Sequence, residues 1–209
     1  MGIHERKERE KERRRLQIMV AAKRIFTLKG FGRATMEDIA NEAELSPGTL
    51  YLYFKSKDDL CASLSLRVLE YFVLRMEHLG NEKQLDKRQK VLALKKALFD
   101  VYAFDPLILK NLFFLQSKEA VQQLNPELMA EINALSCKAM NKIASIFETG
   151  AQQASDPHRH PYEMAEIAWA MFYGLVLWEK GDGEADQNKA HLEKTLDHAF
   201  EIFERGITA

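Results

Sequence analysis

Residues 48–57 carry many side chains that can donate a hydrogen bond or pair with a negative charge. Phenol and hydroxyl groups donate to phosphate oxygens, and lysine ammonium groups are charge partners for phosphates. An exposed leucine in the same stretch fits a thymine methyl group, where apolar contact reads base identity. A glycine lets the backbone come close to a neighbouring molecule. Together these residue types predict recognition of nucleic acid, and they are Gly48, Thr49, Tyr51, Leu52, Tyr53, Lys55 and Lys57.

Two short helices and a tight turn are predicted to position these side chains. The apolar residues of the first helix follow one stripe at helical spacing, namely Met36, Ile39, Ala40 and Ala43. Thr35 is the expected N-cap, and Asp38 completes a capping box three residues later. Ser46 is expected to cap the second helix, and Pro47 fits its first turn, where no backbone donor is needed. This order is typical of a helix-turn-helix, whose second helix enters the major groove of DNA.

The outward face of the second helix separates two interpretations. Leu50 and Phe54 turn this helix onto the first, and a step of about 100° per residue then defines the opposite side. That side presents Pro47, Gly48, Tyr51, Leu52 and Lys55, flanked by Thr49 and Tyr53. The alternative is an amphipathic hairpin whose tyrosines pack against a neighbouring helix. Because that alternative requires two adjacent faces to be buried at once, the pattern favours DNA binding.

The string AxxxIFxxKGFxxATMEDIAxEAxLSPGTLYLYFKSKDDL resembles the N-terminal domain of the TetR (tetracycline-repressor-like) family of bacterial transcription regulators. The resemblance extends over about residues 14–60, just over a fifth of the chain. Carried over position by position, it implies phosphate and base contacts at Thr35, Ser46, Pro47, Gly48, Thr49, Tyr51, Tyr53 and Lys57. One residue departs from the family pattern: Glu44 stands where a glycine is common. The turn must therefore form without that glycine, and the acid opposes phosphate binding.

Charge is unevenly distributed along the 209 residues. Residues 1–57 contain 13 Lys/Arg and 8 Asp/Glu, whereas residues 58–209 contain 17 and 23. This asymmetry is expected if only the N-terminal part meets phosphates. Cys61 and Cys137 show no metal-binding spacing, so we expect reduced, buried thiols in a cytoplasmic protein. The N-terminus has no apolar stretch, and no secretion signal is expected.

The N-terminal run ERKEREKERRR, residues 5–15, mixes both signs of charge. Residues 1–12 are expected to form a solvated helical extension or a disordered tail. Arg13, Arg14 and Arg15 precede the first periodic helix, where an arm could reach a minor groove or phosphates. That helix is expected to end at Gly30 as a left-handed C-cap. With the two short helices it completes a three-helix head, and the domains are placed at 1–56 and 57–209.

The remainder is predicted to be helical, which makes the fold all-α. Ser56 and Asp59 form a capping box for a long helix that runs from Lys57 to a polar break at Gly80–Asn81. Nothing in the composition suggests a flexible linker before it. Further helices are expected over about 86–103, 106–117, 125–150, 161–180 and 186–206. No metal or cofactor is expected, because His158 and His160 lack a third ligand at suitable spacing.

The segment MAEIAWAMFYGLVLW, residues 164–178, is apolar on almost every side. It is shorter than the roughly 20 residues that a membrane span needs, so other protein surfaces must cover it. The last helix carries a matching stripe of His191, Leu192, Thr195, Leu196, Ala199, Phe200 and Phe203. We therefore predict a homodimer in which these two helices from each chain form a four-helix interface, as the resemblance also implies. The alternative is a helix buried within a monomer.

Many large rings are spread over the remaining helices, and their default role is core packing. They could also surround an elongated apolar cavity with a few polar anchors, in which relatives of this type bind small effectors. The predicted lining is Phe72, Met76, Phe99, Tyr102, Phe113, Phe114, Gln116, Met140, Trp169, Phe172 and Tyr173. This composition favours a hydrophobic or aromatic effector, with any anionic group held near the mouth.

The function expected from these patterns is DNA-dependent transcription regulation. A dimer would place its recognition helices about one DNA turn apart, roughly 34–36 Å, on a near-palindromic operator. Effector binding would tilt the long helix and release the operator, so repression is the expected mode. Two alternatives are an architectural DNA-binding protein without an effector and an all-helical enzyme. The enzyme is disfavoured because no catalytic triad, phosphate loop or paired carboxylate motif is visible.

Overall fold

The computed structural model describes residues 2–81, 85–115, 124–148, 160–178 and 185–208, and it confirms the all-α fold. In the order of the chain, the helices are α1 (Ile3–Lys29), α2 (Met36–Glu42), α3 (Pro47–Tyr51), α4 (Lys57–Asn81), α5 (Lys87–Phe104), α6 (Pro106–Leu115), α7 (Pro126–Phe147), α8 (Pro161–Trp178) and α9 (Ala185–Thr208). The body helices begin and end within about three residues of the predicted bounds, because Pro and capping residues mark their first turns.

The first three helices form a head around one small apolar core. Ile18, Phe26, Ile39 and Leu50 are fully buried and come from all three helices. Because α3 contributes Leu50 to this core and Phe54 follows it with only 3% exposure, the residues between and before them are turned outward. The head therefore holds α3 by one face only.

The capping predictions of the head are confirmed. The Thr35 hydroxyl accepts from the backbone N–H of Asp38 at 3.1 Å, and the Asp38 carboxylate accepts from the N–H of Thr35 at 3.1 Å. Lys29 also donates to Asp38, and this bond, followed by the one from Thr35, holds the pKa of that carboxyl below its ordinary value. Ser46 accepts from the N–H of Thr49 at 3.1 Å. Both short helices thus begin where local chemistry predicts.

Two backbone positions need an unusual positive φ. Gly30 ends α1 at φ 75° and ψ 155°, a region open to glycine alone rather than the left-handed helical region that we predicted. Glu44 has φ 55° and is the one non-glycine residue with positive φ in the described ranges. Such a position costs a side-chain-bearing residue roughly 1–2 kcal/mol. The bond from the N–H of Leu45 to Ala40 O at 2.9 Å closes the turn around it, so the turn forms without glycine.

Helix α4 is the central element of the body. It packs against α5, α6 and α7 on the body side and against α1 on the head side. Its buried residues include Leu60, Leu69, Phe72 and Met76. Helix α4 packs against both the head and the body. The domain boundary that we placed between residues 56 and 57 therefore stays a prediction.

Polar contacts tie the later body helices to α1 in the head and to the first turn of α4. Lys23 of α1 forms an ion pair with Asp105 at 2.7 Å, and Asp105 also accepts from the N–H of Ile108 at 3.2 Å at the start of α6. The Asp59 carboxylate, at the start of α4, accepts from the backbone N–H of Asn125 at 3.4 Å, immediately before α7. Movements of the α5–α6 and α7 ends are therefore coupled to the head through short contacts.

The cysteine prediction is half right. Cys61 is buried, and burial raises the pKa of its thiol to about 12. Cys137 is exposed, because it lies on the side of α7 opposite its buried residues Ile132, Ala139 and Ile143. Within the described ranges, no group of three ligating side chains could hold a metal ion, and His158 lies outside those ranges. None of the helices described has the length and apolar character needed to cross a membrane.

Candidate nucleic-acid interface and body cavity

The backbone after α3 stays helical in shape for one further turn. The N–H groups of Tyr53 and Phe54 both donate to the Leu50 carbonyl, at 2.9 and 3.1 Å. Leu50 and Phe54 point into the head core, so this turn fixes the direction of the intervening side chains. Residues 51–53 are thereby presented from a rigid support, although α3 itself ends at Tyr51, earlier than the sequence suggested.

The side chains predicted to face outward do so. Leu52 is 83% exposed and Tyr51 is 52% exposed. Five further members of the predicted contact set are exposed, namely Thr35, Ser46, Pro47, Gly48 and Lys55. The hairpin alternative, with its tyrosines packed beneath a neighbouring helix, is therefore wrong for Tyr51. Tyr53 is half-buried at the edge of this surface.

Gly48 leaves room for an approaching molecule. A Cβ placed there would meet only the Ser46 hydroxyl oxygen, at 3.9 Å, among the described residues. The chain's own packing therefore does not require a glycine at this position. A side chain here would instead stand between α3 and whatever the surface binds, which is the setting in which a glycine permits close backbone contact.

The hydroxyls at the start of α3 are preorganised by one another. Ser46 Oγ and Thr49 Oγ1 lie 2.8 Å apart, and the Ser46 oxygen also accepts from the N–H of Thr49. Thr49 is half-buried and Thr35 is exposed. Each hydroxyl has two lone pairs and one proton. The exposed Ser46 hydroxyl can therefore still bond to another molecule at the N-terminus of α3.

Lys57 has a structural role that the sequence did not reveal. Its ammonium donates to the backbone carbonyls of Phe31 at 2.7 Å, Ala34 at 3.0 Å and Gly32 at 3.4 Å. It also lies 4.5 Å from the centre of the Phe31 ring. The lysine thus organises the loop between α1 and α2 by binding three of its backbone carbonyls. Only the tertiary fold brings residues 31–34 to the start of α4.

Arg15 packs behind the outward surface around α3, which we call the reading surface and which consists of Ser46, Pro47, Gly48, Tyr51, Leu52 and Lys55. Its guanidinium donates to the carbonyl of Tyr53 at 3.3 Å and lies 4.5 Å from the centre of the Phe54 ring. The same arginine lines a groove of about 290 Å³ together with Tyr51, Leu52 and Lys55. The sequence had placed Arg15 in an arm before the head, whereas the structure places it against the turn that follows α3.

The body contains a cavity of about 290 Å³ between α4, α7 and α8. Its lining is mainly apolar and consists of Leu69, Phe72, Ser136, Ala139, Met140, Tyr162, Glu166 and Trp169. The Ser136 hydroxyl oxygen is buried and has no hydrogen-bond partner within the described part of the chain. Such a group is costly unless something else satisfies it. The cavity therefore offers apolar walls and one unsatisfied polar anchor.

Three of the predicted cavity residues, Phe72, Met140 and Trp169, line this space. A ring cluster extends behind Trp169: Phe113 lies 5.7 Å from it and 4.4 Å from Tyr173, and Phe172 lies 5.8 Å from Trp169, between ring centres. Met76 and Tyr102 are buried without lining the cavity, and Phe99 lies 5.8 Å from the Lys189 ammonium, near α9. The Phe114 side chain and Gln116 lie outside the described residues.

Five lining residues were not predicted from the sequence, and they are Leu69, Ser136, Ala139, Tyr162 and Glu166. Ser136, Ala139 and Glu166 are small or acidic and carry no sign of a cavity lining in their residue type, and Tyr162 is a ring that the prediction omitted. Leu69 and Phe72 share one face of α4 at i and i+3. Because Phe72 was predicted, a step of three residues back along the helix would have indicated Leu69 as well. Ser136, Ala139 and Met140 are similarly spaced on α7.

Comparison with known proteins places this geometry in a family. Residues 18–64 match the family described as "Bacterial regulatory proteins, tetR family". The chain is similar to the Fatty acid metabolism regulator protein of Bacillus subtilis, with 31% identity over 144 residues, 69% of this chain and 71% of that protein.

Two solved structures share the fold over most of the chain. One is the transcriptional regulator FadR from Bacillus subtilis in complex with stearoyl-CoA, with a TM-score of 0.64, 24% identity and coverage of 90% of this chain and 96% of that one. The other is AibR in complex with isovaleryl coenzyme A and operator DNA, with a TM-score of 0.61, 17% identity and coverage of 87% and 97%. Both proteins from Bacillus subtilis are described as regulators. With its outward α3, its helical body and this similarity, the chain belongs to the TetR family of DNA-binding bacterial transcription regulators.

Proposed function

We propose that this regulator is a homodimeric repressor that leaves a near-palindromic operator when a small hydrophobic effector enters the body cavity. The observation that carries the proposal is the outward surface of α3, in which Leu52 is 83% exposed beside Tyr51. An exposed leucine between phenol and ammonium groups can contact an apolar partner, and a thymine methyl group is such a partner. The operator contacts proposed are Thr35, Ser46, Pro47, Gly48, Thr49, Tyr51, Leu52, Tyr53, Lys55 and Lys57.

The test of this contact surface is a selection of bound duplexes from random DNA, carried out in parallel with wild type, Leu52→Ala and Lys55→Ala. Leu52→Ala is expected to change which base is preferred at one position of each half-site, because it removes an apolar base contact worth about 1–3 kcal/mol of discrimination. Lys55→Ala is the matched control, since a lost phosphate contact weakens all sequences alike and lowers the salt slope by about one.

Recovery of the same consensus with Leu52→Ala as with wild type would remove Leu52 from the base-reading set. The spacing of the two half-sites in the wild-type consensus is a second result of the selection. A separation of about 34–36 Å between half-site centres is expected for a two-fold dimer. A consensus without two-fold symmetry would contradict the proposed dimer.

The dimer is supported by an apolar outer face on α8. Ile167, Leu177 and Trp178 are 48%, 49% and 80% exposed and repeat at helical spacing, with small Ala170 and Gly174 between them. A face of this kind on a chain of this size is expected to be covered by a second copy.

The contribution of α9 to this dimer differs from the sequence prediction. Leu192, Leu196 and Phe200 are buried within the chain, because α9 packs on α5 and α8 of its own body. The outward stripe of α9 keeps His191 and Thr195 of the predicted set and adds His198 and Ile202, of which Ile202 is 72% exposed. We propose that this stripe and the outer face of α8 together form the four-helix interface.

The effector class is supported by the walls of the body cavity. Apolar side chains from α4, α7 and α8 form most of the walls, and the exposed residues Glu166 and Tyr162 lie among the lining residues. A volume of about 290 Å³ is at the lower end of the range for small-molecule sites. It suits an acyl chain better than a sugar or a nucleotide. Two proteins of the same fold are solved with acyl-coenzyme A compounds, which supports an acyl thioester whose polar part stays outside the cavity.

Ala139→Leu tests the cavity because it adds apolar volume where Ala139 is only 3% exposed. The variant is expected to keep operator affinity and to respond poorly to acyl-coenzyme A compounds. The concentration needed for half release should rise at least about fivefold, since about 1–3 kcal/mol of overpacking opposes entry. The measurement is fluorescence anisotropy of a labelled operator during effector titration. Ala134→Leu, on the exposed side of the same helix, is the control.

Equal release of Ala139→Leu, Ala134→Leu and wild type would contradict the placement of the effector. If no acyl compound and no member of a broad apolar library raises the melting temperature of wild type, the architectural alternative is favoured over a ligand-responsive regulator. A ligand that binds only the folded state must raise that temperature.

Release is proposed to follow from contacts in the middle and in the first turn of α4, together with one ion pair between head and body. Leu69 and Phe72 line the cavity three to four turns after Lys57, so an effector touches the helix that supports the head. The Lys23–Asp105 ion pair joins α1 of the head to the α5–α6 junction, and the Asp59–Asn125 contact joins the first turn of α4 to the start of α7. An effector that binds better to a second arrangement of α4 and α7 would change the spacing of the two heads by linkage.

A further inference from the structure

The N-terminal segment before the head is a straight continuation of α1. The helix begins at Ile3 and passes without a break through Arg15 into the head core. Gly2 is its N-cap, and the Glu5 carboxylate accepts from the Gly2 N–H at 3.3 Å. Residues 3–15 therefore extend about 20 Å from the head as a rigid rod. We call this rod the α1 extension.

The charges of the α1 extension separate onto different faces. At about 100° per residue, one sector of about 100° contains Lys7, Lys11, Arg14 and Arg15 and no acid. We call these four residues the basic stripe. The rest of the circumference contains three arginines and four glutamates, namely Glu5, Arg6, Glu8, Arg9, Glu10, Glu12 and Arg13. The mixed-charge run is thus strongly basic on one side and nearly neutral on the other.

The near-neutral side is internally paired. Arg13 donates to the Glu10 carboxylate at 2.7 Å, and this bond lowers the pKa of Glu10 and raises that of Arg13. On the basic stripe, Lys7 and Lys11 are exposed and have no ion-pair partner within the described residues. Arg14 donates to the Gln17 side chain at 3.1 Å. Arg14 also lies 3.8 Å from the Glu10 carboxylate, and Arg15 contacts the Tyr53 carbonyl. The charge available to another molecule is therefore chiefly that of Lys7 and Lys11, and the two arginines continue the same positive row toward α3.

The basic stripe is continuous with the reading surface. It occupies the sector of α1 that is apolar and core-facing further along, at Ile18, Ala22 and Ile25. Its last member, Arg15, contacts the Tyr53 carbonyl and shares a groove with Tyr51 and Leu52. Lys11 and Lys7 follow at about 6 and 12 Å farther along the helix. The stripe therefore starts beside α3 and leads outward from it.

We infer that the basic stripe binds the phosphate backbone of the duplex that flanks each operator half-site. A duplex presents one negative charge per about 1.7 Å of its axis, so a row of cations spaced about 6 Å apart finds phosphates along its whole length. Residues 4–15 contain no apolar side chain, which excludes the amphipathic character that a membrane-surface helix needs. The inference rests on operator binding by the head, and it lengthens the operator beyond the bases that α3 reads.

The test compares two triple variants of the full chain with the same change in charge. Lys7→Ala/Lys11→Ala/Arg14→Ala removes three cations from the basic stripe, and Arg6→Ala/Arg9→Ala/Arg13→Ala removes three from the other side. Alanine preserves the helix in both. Binding is measured at several salt concentrations on two duplexes that contain the selected operator, one ending at the half-sites and one carrying ten further base pairs on each side.

Wild type is expected to prefer the flanked duplex, and the stripe variant is expected to lose that preference. Its salt slope on the flanked duplex should fall by about 0.9 for each lost contact, which gives at least a tenfold loss of affinity near 150 mM salt. The control variant should keep the preference and most of the slope. Equal losses of affinity and salt slope in both variants, or no loss in either, would overturn the inference. The proposed function of the head would still stand in that case, provided that wild type binds the operator. If wild type binds no duplex, both proposals fail.

Discussion

Ile202→Glu is expected to divide the dimer and to weaken operator binding by a factor of about a thousand or more. Ile202 is 72% exposed on the outer face of α9, beside the apolar outer face of α8. In a two-fold interface the introduced carboxylate is buried twice, and each unpaired buried charge costs several kcal/mol. A loss of about 4 kcal/mol already corresponds to a thousandfold change in the equilibrium constant. Sedimentation equilibrium and an operator titration measure the two effects.

The matched control for this prediction is Leu74→Glu, which places the same charge on α4 at a leucine that is 50% exposed. Leu74→Glu should remain a dimer and bind the operator with wild-type affinity. Helical content by circular dichroism should be unchanged in both variants, because both residues are solvent-facing within the single chain. A dimeric Ile202→Glu with wild-type operator affinity would contradict the proposed interface.

Lys57→Met is expected to destabilise the head by about 2–3 kcal/mol and to abolish specific operator binding at micromolar protein. The methionine keeps an apolar stem of similar length but removes the ammonium that donates to three carbonyls between Phe31 and Ala34. Hydrogen bonds from charged donors are worth about 1.5–3 kcal/mol each, and a partly buried carbonyl without a donor keeps its desolvation cost. Urea unfolding and amide hydrogen exchange of residues 31–34 measure the loss.

Lys55→Met separates this structural role from a phosphate contact. Lys55 is exposed two residues earlier, so its loss should weaken operator binding without changing the free energy of unfolding. If Lys57→Met behaves in the same way as Lys55→Met, Lys57 acts on phosphate alone and the carbonyl contacts contribute little. If both stability and exchange protection fall only for Lys57→Met, the lysine organises the loop that positions α2 and, through it, α3.

The parts of the fold that sequence predicts well are those that depend on neighbours along the chain. The caps at Thr35 and Ser46, the end of α1 at Gly30 and the bounds of the body helices follow from side chains within four residues. The outward position of Tyr51 and Leu52 also follows, because Leu50 and Phe54 define the buried side of the same turn.

The parts that sequence did not predict depend on which helices meet in space. Lys57 reaches carbonyls 23–26 residues earlier, and Arg15 reaches a carbonyl 38 residues later. The apolar stripe of α9 was assigned to a partner, whereas α5 and α8 of the same chain cover it. Cys137 was predicted to be buried from its residue type alone, although its angular position on α7 places it outside. Helical period gives the direction of a side chain but not the identity of the surface that it faces.

The unbroken length of α1 has a mechanical consequence. The helix has 27 residues and is therefore about 40 Å long, and the ion pair between Lys23 and Asp105 attaches the body to it close to its C-terminal end. Lys7 lies about 24 Å along the axis from Lys23. A rotation of about 5° around that attachment displaces the far tip by about 2 Å at this rise per residue. A small rearrangement inside the body would thus be magnified at the tip of α1. There it would carry Lys7 out of ion-pair distance of a phosphate in the flanking duplex.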